Sequence, residues 1–246
     1  YLERAIQSVI NQSYDNWELI IIDNNSSDGT LEYLKSIEYA NIKILSISNN
    51  GNIAKSRNLG IKNARGELIA FLDSDDFWER DKLLLSLSFL EKNQEYIGVC
   101  HNEYWLKDGN KEIRCYGPEH NYQFDRMLTR GNCISLSAII VSKASLVDAD
   151  YFSEDPDIIT AEDYDLWLKI SKLGRKIGFI NDILGSFQLH SISESSNINR
   201  NTRAVLKVLD RHISEKDVKL YNKAQANCWL VAGKSFYKEN QITYAV

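Results

Sequence analysis

The sequence predicts an α/β fold in which a mostly parallel β-sheet is flanked by helices. Apolar runs of strand length alternate with helix-like segments at short intervals through residues 1–100, and this rhythm is typical of crossover units that join parallel strands. The apolar runs within 17–23 and 68–72 are continuous, which indicates strands covered on both faces. Each run leads into aspartates, at the strand ends where ligands bind in parallel sheets.

The predicted elements follow one another in a regular order. Apolar residues recur at helical spacing in 2–11, so the chain opens on an amphipathic helix. Next come a strand at 17–23, a turn at 24–30 that ends on Thr30 as a helix N-cap, a helix at 31–37, a strand at 42–48, a helix at 53–64 and a strand at 67–76. The prediction ends with strands near 96–105 and 134–141, a helix over 163–173 and mainly helical sequence from about residue 200 onward.

Length, charge and cysteine spacing exclude several classes of protein. The 246 residues, 43% of them hydrophobic, can bury the core of one large domain or of a domain with an appendage. A net charge of -5 argues against a broad basic surface for nucleic acid. No apolar run is long enough to span a bilayer. The four cysteines are far apart and form no CxxC pair, which indicates free thiols in a reducing compartment.

Three carboxylates occupy four positions in "FLDSDDFW", residues 71–78. In an extended strand residues i and i+2 share a side, so Asp73 and Asp75 are predicted to face one site and Asp76 to turn away. The cluster could be a solvated acidic loop, or a phosphatase site with a nucleophilic Asp, although the residues that follow depart from the usual phosphatase pattern. It could also hold Mg²⁺ or Mn²⁺, because these ions take oxygen ligands, remove the mutual repulsion and bridge to phosphates.

Three segments, in this order along the chain, resemble family 2 glycosyltransferases of the GT-A fold: "SVINQSYDNWELIIIDNNSSDGT", "NIAKSRNLGIKNARGELIAFLDSDDFWERDKL" and "TAEDYDLWLKI". The likeness covers about residues 1–195 and places Asp73-Ser74-Asp75 at the family's Asp-x-Asp motif. It implies a Rossmann-like GT-A domain over 1–198 and a helical C-terminal extension over 199–246. It also implies an apolar strand before the first helix, which we expect to be missing from this chain.

The resemblance assigns donor contacts to the motif residues. It implies that Asp75 binds the metal directly, and that Asp73 lies near the donor ribose or reaches the metal through water. Ser74, between them, would belong to the nucleotide-sugar site. Asp23 would accept the ring N–H of the base, and Asn24 stands where many members have a second Asp, which leaves uracil specificity open.

Four further residues complete the site that the resemblance implies. Arg57 would pair with the donor phosphates or the base edge. Asp163, in the family's Glu-Asp motif, would be the general base that takes the proton of the acceptor hydroxyl, its charge favoured by the helix N-terminus. Glu162, the first residue of that motif, would belong to the nucleotide-sugar site. His190 would help to bind Mn²⁺. The structural alternatives are a surface arginine, acids that only complement the helix dipole, and a histidine satisfied by its own surroundings.

The resemblance therefore implies an inverting glycosyltransferase that uses Mn²⁺ or Mg²⁺ and a nucleotide-diphosphate sugar, with a UDP-sugar as the expected donor. The expected acceptor is a glycan or lipid-linked saccharide of bacterial O-antigen, capsule or other surface polysaccharide synthesis, which implies a cytoplasmic location. Lysines of the C-terminal region would then contact the inner face of the membrane, unless they form only a solvated helical face. Two other hypotheses are a catalytically silent nucleotide-sugar or glycan-binding scaffold of the same fold, and a sugar-phosphate nucleotidyltransferase.

Overall fold

The computed structural model describes residues 1–190, 197–214 and 216–238. Its helices are α1 (Leu2–Ile10), α2 (Thr30–Lys35), α3 (Ile53–Asn63), α4 (Lys82–Lys92), α5 (Phe124–Arg130), α6 (Lys143–Asp148), α7 (Glu162–Lys172), α8 (Ile198–His212) and α9 (Val218–Lys238). Its strands are β1 (Leu19–Asp23), β2 (Ile42–Ser46), β3 (Leu68–Ala70), β4 (Phe77–Trp78), β5 (Tyr96–Lys107), β6 (Asn110–Arg114), β7 (Ile139–Ser142) and β8 (Lys176–Gln188). Residues 191–196 of the predicted GT-A domain, and residues 215 and 239–246 of the predicted extension, lie outside the described residues.

The strands form a small sheet and a larger one. In the small sheet β1 pairs in parallel with β2, and in the larger sheet the order is β3-β7-β5-β8-β4, with β6 paired to β5. The predicted α/β class is confirmed. The expectation of a mostly parallel arrangement is wrong for the larger sheet, where β5 and β8 pair in parallel and the other described pairings are antiparallel.

A tight hairpin explains part of this mixed pairing. Asp108 and Gly109 connect β5 to β6 with φ of 49° and 80°. Positive φ at both central residues matches the right-handed twist of the flanking strands, so two strands joined in this way run antiparallel.

The acidic segment lies in a turn rather than in a strand. β3 ends at Ala70, and the backbone N–H of Asp76 donates to the carbonyl of Asp73 at 3.1 Å, a hydrogen bond that reverses the chain. The extended geometry predicted for 67–76 is therefore wrong beyond Ala70.

A smaller correction concerns the start of α2. Gly29, with φ of 83°, occupies the N-cap position, and Thr30 is the first helical residue.

The main hydrophobic core joins the larger sheet to the helices of the second half. It contains fully buried Trp167 of α7, Ile139 of β7 and Met127 of α5, together with Val208 of α8 and Cys228 of α9. The predicted helical character of the C-terminal region is confirmed for its described residues, and α8 and α9 share this core. Among the described residues, no helix is long and apolar enough to cross a membrane.

Two buried side chains on α7 have structural roles. Asp165 is buried and accepts hydrogen bonds from Nε2 of His212 at 2.9 Å and pairs with Lys169 at 3.0 Å. Trp167, on the same helix, is wholly buried. Asp165 therefore connects α8 to the first turn of α7, the turn that also carries Asp163.

His101, buried in β5, should make stability depend on pH. Desolvation and the nearby charge of Lys82 lower the pKa of His101 to about 3, whereas the pKa of an unfolded histidine is about 6.5. The unfolded state then binds more protons between these values, so stability falls as pH falls through that window. We expect His101→Asn to remove up to about 1.4 kcal/mol per pH unit from the slope of the unfolding free energy between pH 4.5 and 6.5, as measured by urea denaturation.

His120→Asn provides the control for this prediction, because His120 is exposed. The control should keep the slope of the unmodified protein. Equal slopes in all three proteins would contradict the assignment of His101 as a neutral buried group.

Candidate active site

A cleft of about 1490 Å³ runs between the two sheets. β1 and β3 line it along edges where no described strand pairs with them. The turn after β3, helix α3 and the N-terminus of α7 also line it. An additional strand before α1 would have space along these edges, and that expectation stays a prediction.

Arg57, on α3, connects two acidic segments of the cleft. Its Nη1 donates to Oε1 of Glu162 at 2.6 Å and its Nη2 to Oδ1 of Asp73 at 3.0 Å. Burial disfavours the charged guanidinium, but the carboxylates of Asp73 and Glu162 outweigh this effect and raise the pKa of Arg57. The alternative of an ordinary surface charge does not fit, because only 12% of the side chain is exposed. Arg57 therefore fixes the turn after β3 against α7.

Asp163 lies one residue after Glu162 in the first turn of α7. Its Oδ2 accepts from Nδ2 of Asn132 at 2.8 Å, and its Oδ1 accepts from the backbone N–H of Tyr164 at 2.7 Å. Burial of the carboxyl group, together with the charge of Glu162, raises the pKa of Asp163 to about 7, and Arg57 opposes this rise. A carboxyl group that titrates near neutral pH at the edge of a cleft can accept a proton in a reaction.

Asp73 and Asp75 do not point to one common partner. Asp73 is paired with Arg57, whereas Oδ2 of Asp75 lies 2.7 Å from Nε2 of His190. The ring of Tyr1 stacks on the ring of His190, with centroids 5.4 Å apart. Ser74, between the two aspartates, is exposed and lines the cleft. The turn therefore presents two separate carboxylates to the cleft.

Asp76 turns away from this pair, as predicted, and its buried carboxyl group stabilises the turn through hydrogen bonds. Its Oδ2 accepts from Oγ of Ser137 at 2.6 Å and its Oδ1 from the backbone N–H of Gln188 at 2.9 Å. Ser137 also accepts from the backbone N–H of Asp73 at 3.2 Å. Desolvation, with the charge of Asp73, raises the pKa of Asp76 to about 9. The third aspartate of the cluster is thus a structural anchor.

The two residues at the end of β1 have different surroundings. Asp23 is 5% exposed and accepts from the backbone N–H of Ser26 at 3.2 Å; it is not among the residues that line the cleft. Asn24 does line the cleft and accepts from the backbone N–H of Asn49 at 2.9 Å. Of the two predicted nucleotide contacts, Asn24 is the one that faces the cavity.

The structure adds residues that sequence reasoning missed. Asn132 contacts the candidate base from the segment "TRGNCISLSA", in which the neighbouring Gly131 has φ of 87°; that glycine was the only local signal. Trp105 lines the cleft beside Tyr116, whose hydroxyl accepts from the indole N–H at 3.1 Å. Arg114 lies over the Trp105 ring, 4.9 Å from its centroid.

The side chains at the turn after β3 supply only part of the coordination shell of a divalent ion. Among the described residues, no group of three or more His, Cys, Asp or Glu side chains is arranged to hold a metal ion. Asp75 and His190 supply one carboxylate oxygen and one imidazole nitrogen at the edge of the cleft, which are ligand types that Mn²⁺ accepts. An ion with two protein ligands would take its remaining ligands from substrate phosphates and water, a common arrangement for Mg²⁺.

With the fold and the cleft established, the class of the protein follows from its sequence. Residues 1–152 match glycosyl transferase family 2. The chain belongs to this family and is a glycosyltransferase.

Relatives of the chain include glycosyltransferases of two bacteria. WfgD of Escherichia coli, a UDP-Glc:alpha-D-GlcNAc-diphosphoundecaprenol beta-1,3-glucosyltransferase, is 32% identical over 198 residues, which are 80% of this chain and 75% of WfgD. AmsB of Erwinia amylovora, an amylovoran biosynthesis glycosyltransferase, is 28% identical over 226 residues, which are 85% of this chain and 73% of AmsB.

Solved structures confirm the predicted GT-A fold. S. aureus TarS 1-349 in complex with UDP-GlcNAc is similar with a TM-score of 0.71 and 19% identity, over 100% of this chain and 75% of that one. The mannosyltransferase PcManGT from Pyrobaculum calidifontis, in complex with GDP-Man and Mn²⁺, is similar with a TM-score of 0.66 and 15% identity, over 99% and 69% of the two chains. At these identities the likeness concerns the fold alone.

Proposed function

We propose that this protein transfers a sugar, with inversion, from a nucleotide-diphosphate donor to an acceptor hydroxyl, in a divalent metal-dependent reaction of bacterial surface-polysaccharide synthesis. The observation that carries the proposal is the Arg57 bridge, which holds the acidic turn and the N-terminus of α7 on one cleft. The cleft thus combines a carboxylate–imidazole pair suited to a cation with a carboxyl group suited to proton transfer. These are the two requirements of this reaction class.

Asp75 and His190 are the proposed metal ligands. An ion bound there would be Mn²⁺ or Mg²⁺, and it would neutralise charge that develops on the leaving diphosphate. Asp73 is already engaged by Arg57, so we assign it to the donor ribose rather than to direct metal binding. Ser74, exposed at the tip of the turn, belongs to the same donor site.

Asn24 is the proposed contact with the base of the donor. The residue lines the cleft, and its amide group can both donate and accept hydrogen bonds. Asp23 would act through the conformation of this turn, which it holds through Ser26. A UDP-sugar is the proposed donor, supported by the UDP-sugar in the WfgD name.

Asp163 is the proposed general base. As the acceptor oxygen bonds to the anomeric carbon, its proton passes to Asp163, and the electron pair of the breaking C–O bond leaves with the diphosphate. Asn132 orients the carboxyl group, and Glu162 raises its basicity by charge repulsion. Because burial keeps the carboxyl group close to its titration point at neutral pH, proton uptake is favourable there.

The proposed acceptor is a saccharide linked to a lipid diphosphate, supported by the acceptor in the WfgD name. Such an acceptor lies at a membrane, so we propose a cytoplasmic protein with peripheral contact at the inner face. α9 exposes Trp229, Leu230 and Val231 to solvent, with lysines along the same helix. Aromatic and apolar residues beside lysines suit the interface of an anionic bilayer.

A metal-dependent thermal shift tests the donor assignment. UDP with Mn²⁺ should raise the melting temperature more than UDP alone, because a ligand that binds only the folded state stabilises it. In Asp75→Asn we expect the Mn²⁺-dependent part of the shift to disappear and UDP-sugar hydrolysis to fall by about 10²-fold or more. Asp148→Asn, an exposed aspartate outside the cleft, is the control.

Each result of this test has a defined meaning. An Asp75→Asn protein that hydrolyses a UDP-sugar at the normal rate would refute the metal assignment. Donor binding without hydrolysis or transfer, for every nucleotide-sugar offered to the unmodified protein, would favour the catalytically silent scaffold.

A further inference from the structure

A second cavity, of about 610 Å³, lies beside the main cleft between α8 and the 3₁₀ turn Pro156–Ile158. Three cationic residues of α8 line it, namely Arg200, Arg203 and Lys207. Among the described residues that line it, Asp157 is the one carboxylate. The described lining of the cavity is therefore positively charged, although the chain as a whole carries a net charge of -5.

Within the part of the chain that the structure describes, two of these cations have no carboxylate partner. Arg203 and Lys207 are exposed, stand four residues apart on one face of α8, and form no ion pair with any residue that the structure describes. By contrast, Arg211 on the next turn is paired with Asp155. Like charges at this spacing repel each other on a helix, and a bound anion would remove that repulsion.

The first turn of α8 reinforces the attraction for an anion. The helix begins at Ile198, and Oδ1 of the N-cap residue Asn197 accepts from the backbone N–H of Arg200 at 3.0 Å. Asn197 and Asn199 both line the cavity. The positive end of the helix dipole thus adds to the cationic side chains.

The cavity adjoins the cleft that contains the candidate base. Ile159 lines both this cavity and the main cleft. From the other face of α8, Nδ2 of Asn201 donates to the carbonyl of Thr160 at 3.2 Å, and the backbone N–H of Thr160 donates to Oε2 of Glu162 at 2.8 Å. A single helix therefore presents cations to the cavity and supports the segment that carries Asp163.

We propose that Arg203 and Lys207 bind a phosphate or diphosphate group of the acceptor. This inference rests on the proposed function, because it takes the α7 side of the cleft as the acceptor side. An acceptor whose hydroxyl lies at Asp163 and whose phosphate lies against α8 would be held at two points. The site therefore selects phosphate-linked saccharides over neutral ones, and it is separate from the donor contacts at Asn24 and Asp75.

Pyrophosphate binding tests this site directly. We would titrate inorganic pyrophosphate, in EDTA to suppress metal-dependent donor binding, into the full chain, the double variant Arg203→Gln/Lys207→Gln and the matched control Lys219→Gln/Lys223→Gln on α9. Loss of two charge-assisted contacts should weaken binding by about tenfold or more in the double variant only. Glutamine keeps helix propensity, and equal melting temperatures would show that all three proteins are folded.

Anionic vesicles distinguish an acceptor phosphate from a lipid headgroup. If the double variant loses binding to phosphatidylglycerol vesicles but binds pyrophosphate normally, α8 meets the membrane surface and the acceptor proposal is overturned. Equal pyrophosphate binding by all three proteins, or no binding by any, also overturns it. UDP–Mn²⁺ binding should be unchanged in the double variant. If the unmodified protein binds pyrophosphate through these residues yet transfers no sugar, the proposed function fails while the anion site stands.

Discussion

Replacing Asp163 by asparagine should lower the rate of sugar transfer by about 10²- to 10⁴-fold while leaving donor affinity unchanged. The new asparagine can accept the hydrogen bond from Asn132 only when its carbonyl oxygen takes the place of Oδ2. In neither orientation can its amide group take a proton. The proposed metal ligands and the proposed contact with the nucleobase lie on other segments of the cleft. The loss should therefore appear in kcat rather than in the dissociation constant of UDP–Mn²⁺.

The pH profile gives this prediction a second measurement. The raised pKa of Asp163, about 7, means that the carboxyl group is increasingly protonated as pH falls below 7, so transfer should decline over that range. The sign for stability is opposite, because ionising a buried carboxyl group with a raised pKa destabilises the folded state. At pH 8 the Asp163→Asn protein should unfold at the same temperature as the unmodified protein or at a higher one.

Asp148→Asn is again the control, and it should leave both the rate and the pH profile unchanged. Normal transfer by Asp163→Asn would remove Asp163 from the reaction. If Asp163→Asn has a lower melting temperature at pH 8 and loses donor binding as much as it loses transfer, Asp163 only complements the helix dipole.

The sequence predicted best what depends on neighbouring residues. The continuous apolar run before Asp23 gave a strand within two residues of its observed start, and "TAEDYDLWLKI" placed the start of α7 within one residue of Glu162. Periodicity and helix-start chemistry are local properties, so they can be read without knowing which segments meet. The fold class followed from the alternation of such segments.

Features that depend on distant partners were harder to predict. Asp73 and Asp75 were expected to share a site because an extended strand places i and i+2 on one side, but the turn brings them to different partners, Arg57 and His190. Asn132 contacts Asp163 across 31 positions in sequence, and no local pattern encodes that distance. The antiparallel β5–β6 hairpin, by contrast, has a local signal, because Asp-Gly is a recognised turn pair. The alternation of strands and helices along the chain favoured parallel pairing instead.

Arg57→Met should be strongly destabilising. It leaves Glu162, with 7% of its side chain exposed, without its guanidinium partner, and breaking a buried pair from one side costs about 3–5 kcal/mol. Arg65→Met is the control: Arg65 pairs with Glu18 at 3.1 Å, but its side chain is 82% exposed, and such surface pairs contribute about 1 kcal/mol or less. Urea denaturation at pH 7.5 would measure both losses.

A double variant separates the loss of the ion pair from the loss of packing. In Arg57→Met/Glu162→Gln the uncompensated charge of Glu162 is removed, so the double variant should be more stable than Arg57→Met alone. If its loss of stability instead equals the sum of the losses in the two single variants, an uncompensated charge is not the cause. Arg57 also opposes the rise in the pKa of Asp163, whereas Glu162 contributes to it. The decline of transfer at low pH should therefore move to higher pH in Arg57→Met and back toward its original position in the double variant. An unchanged profile in both proteins would mean that the bridge stabilises the fold without adjusting the proposed base.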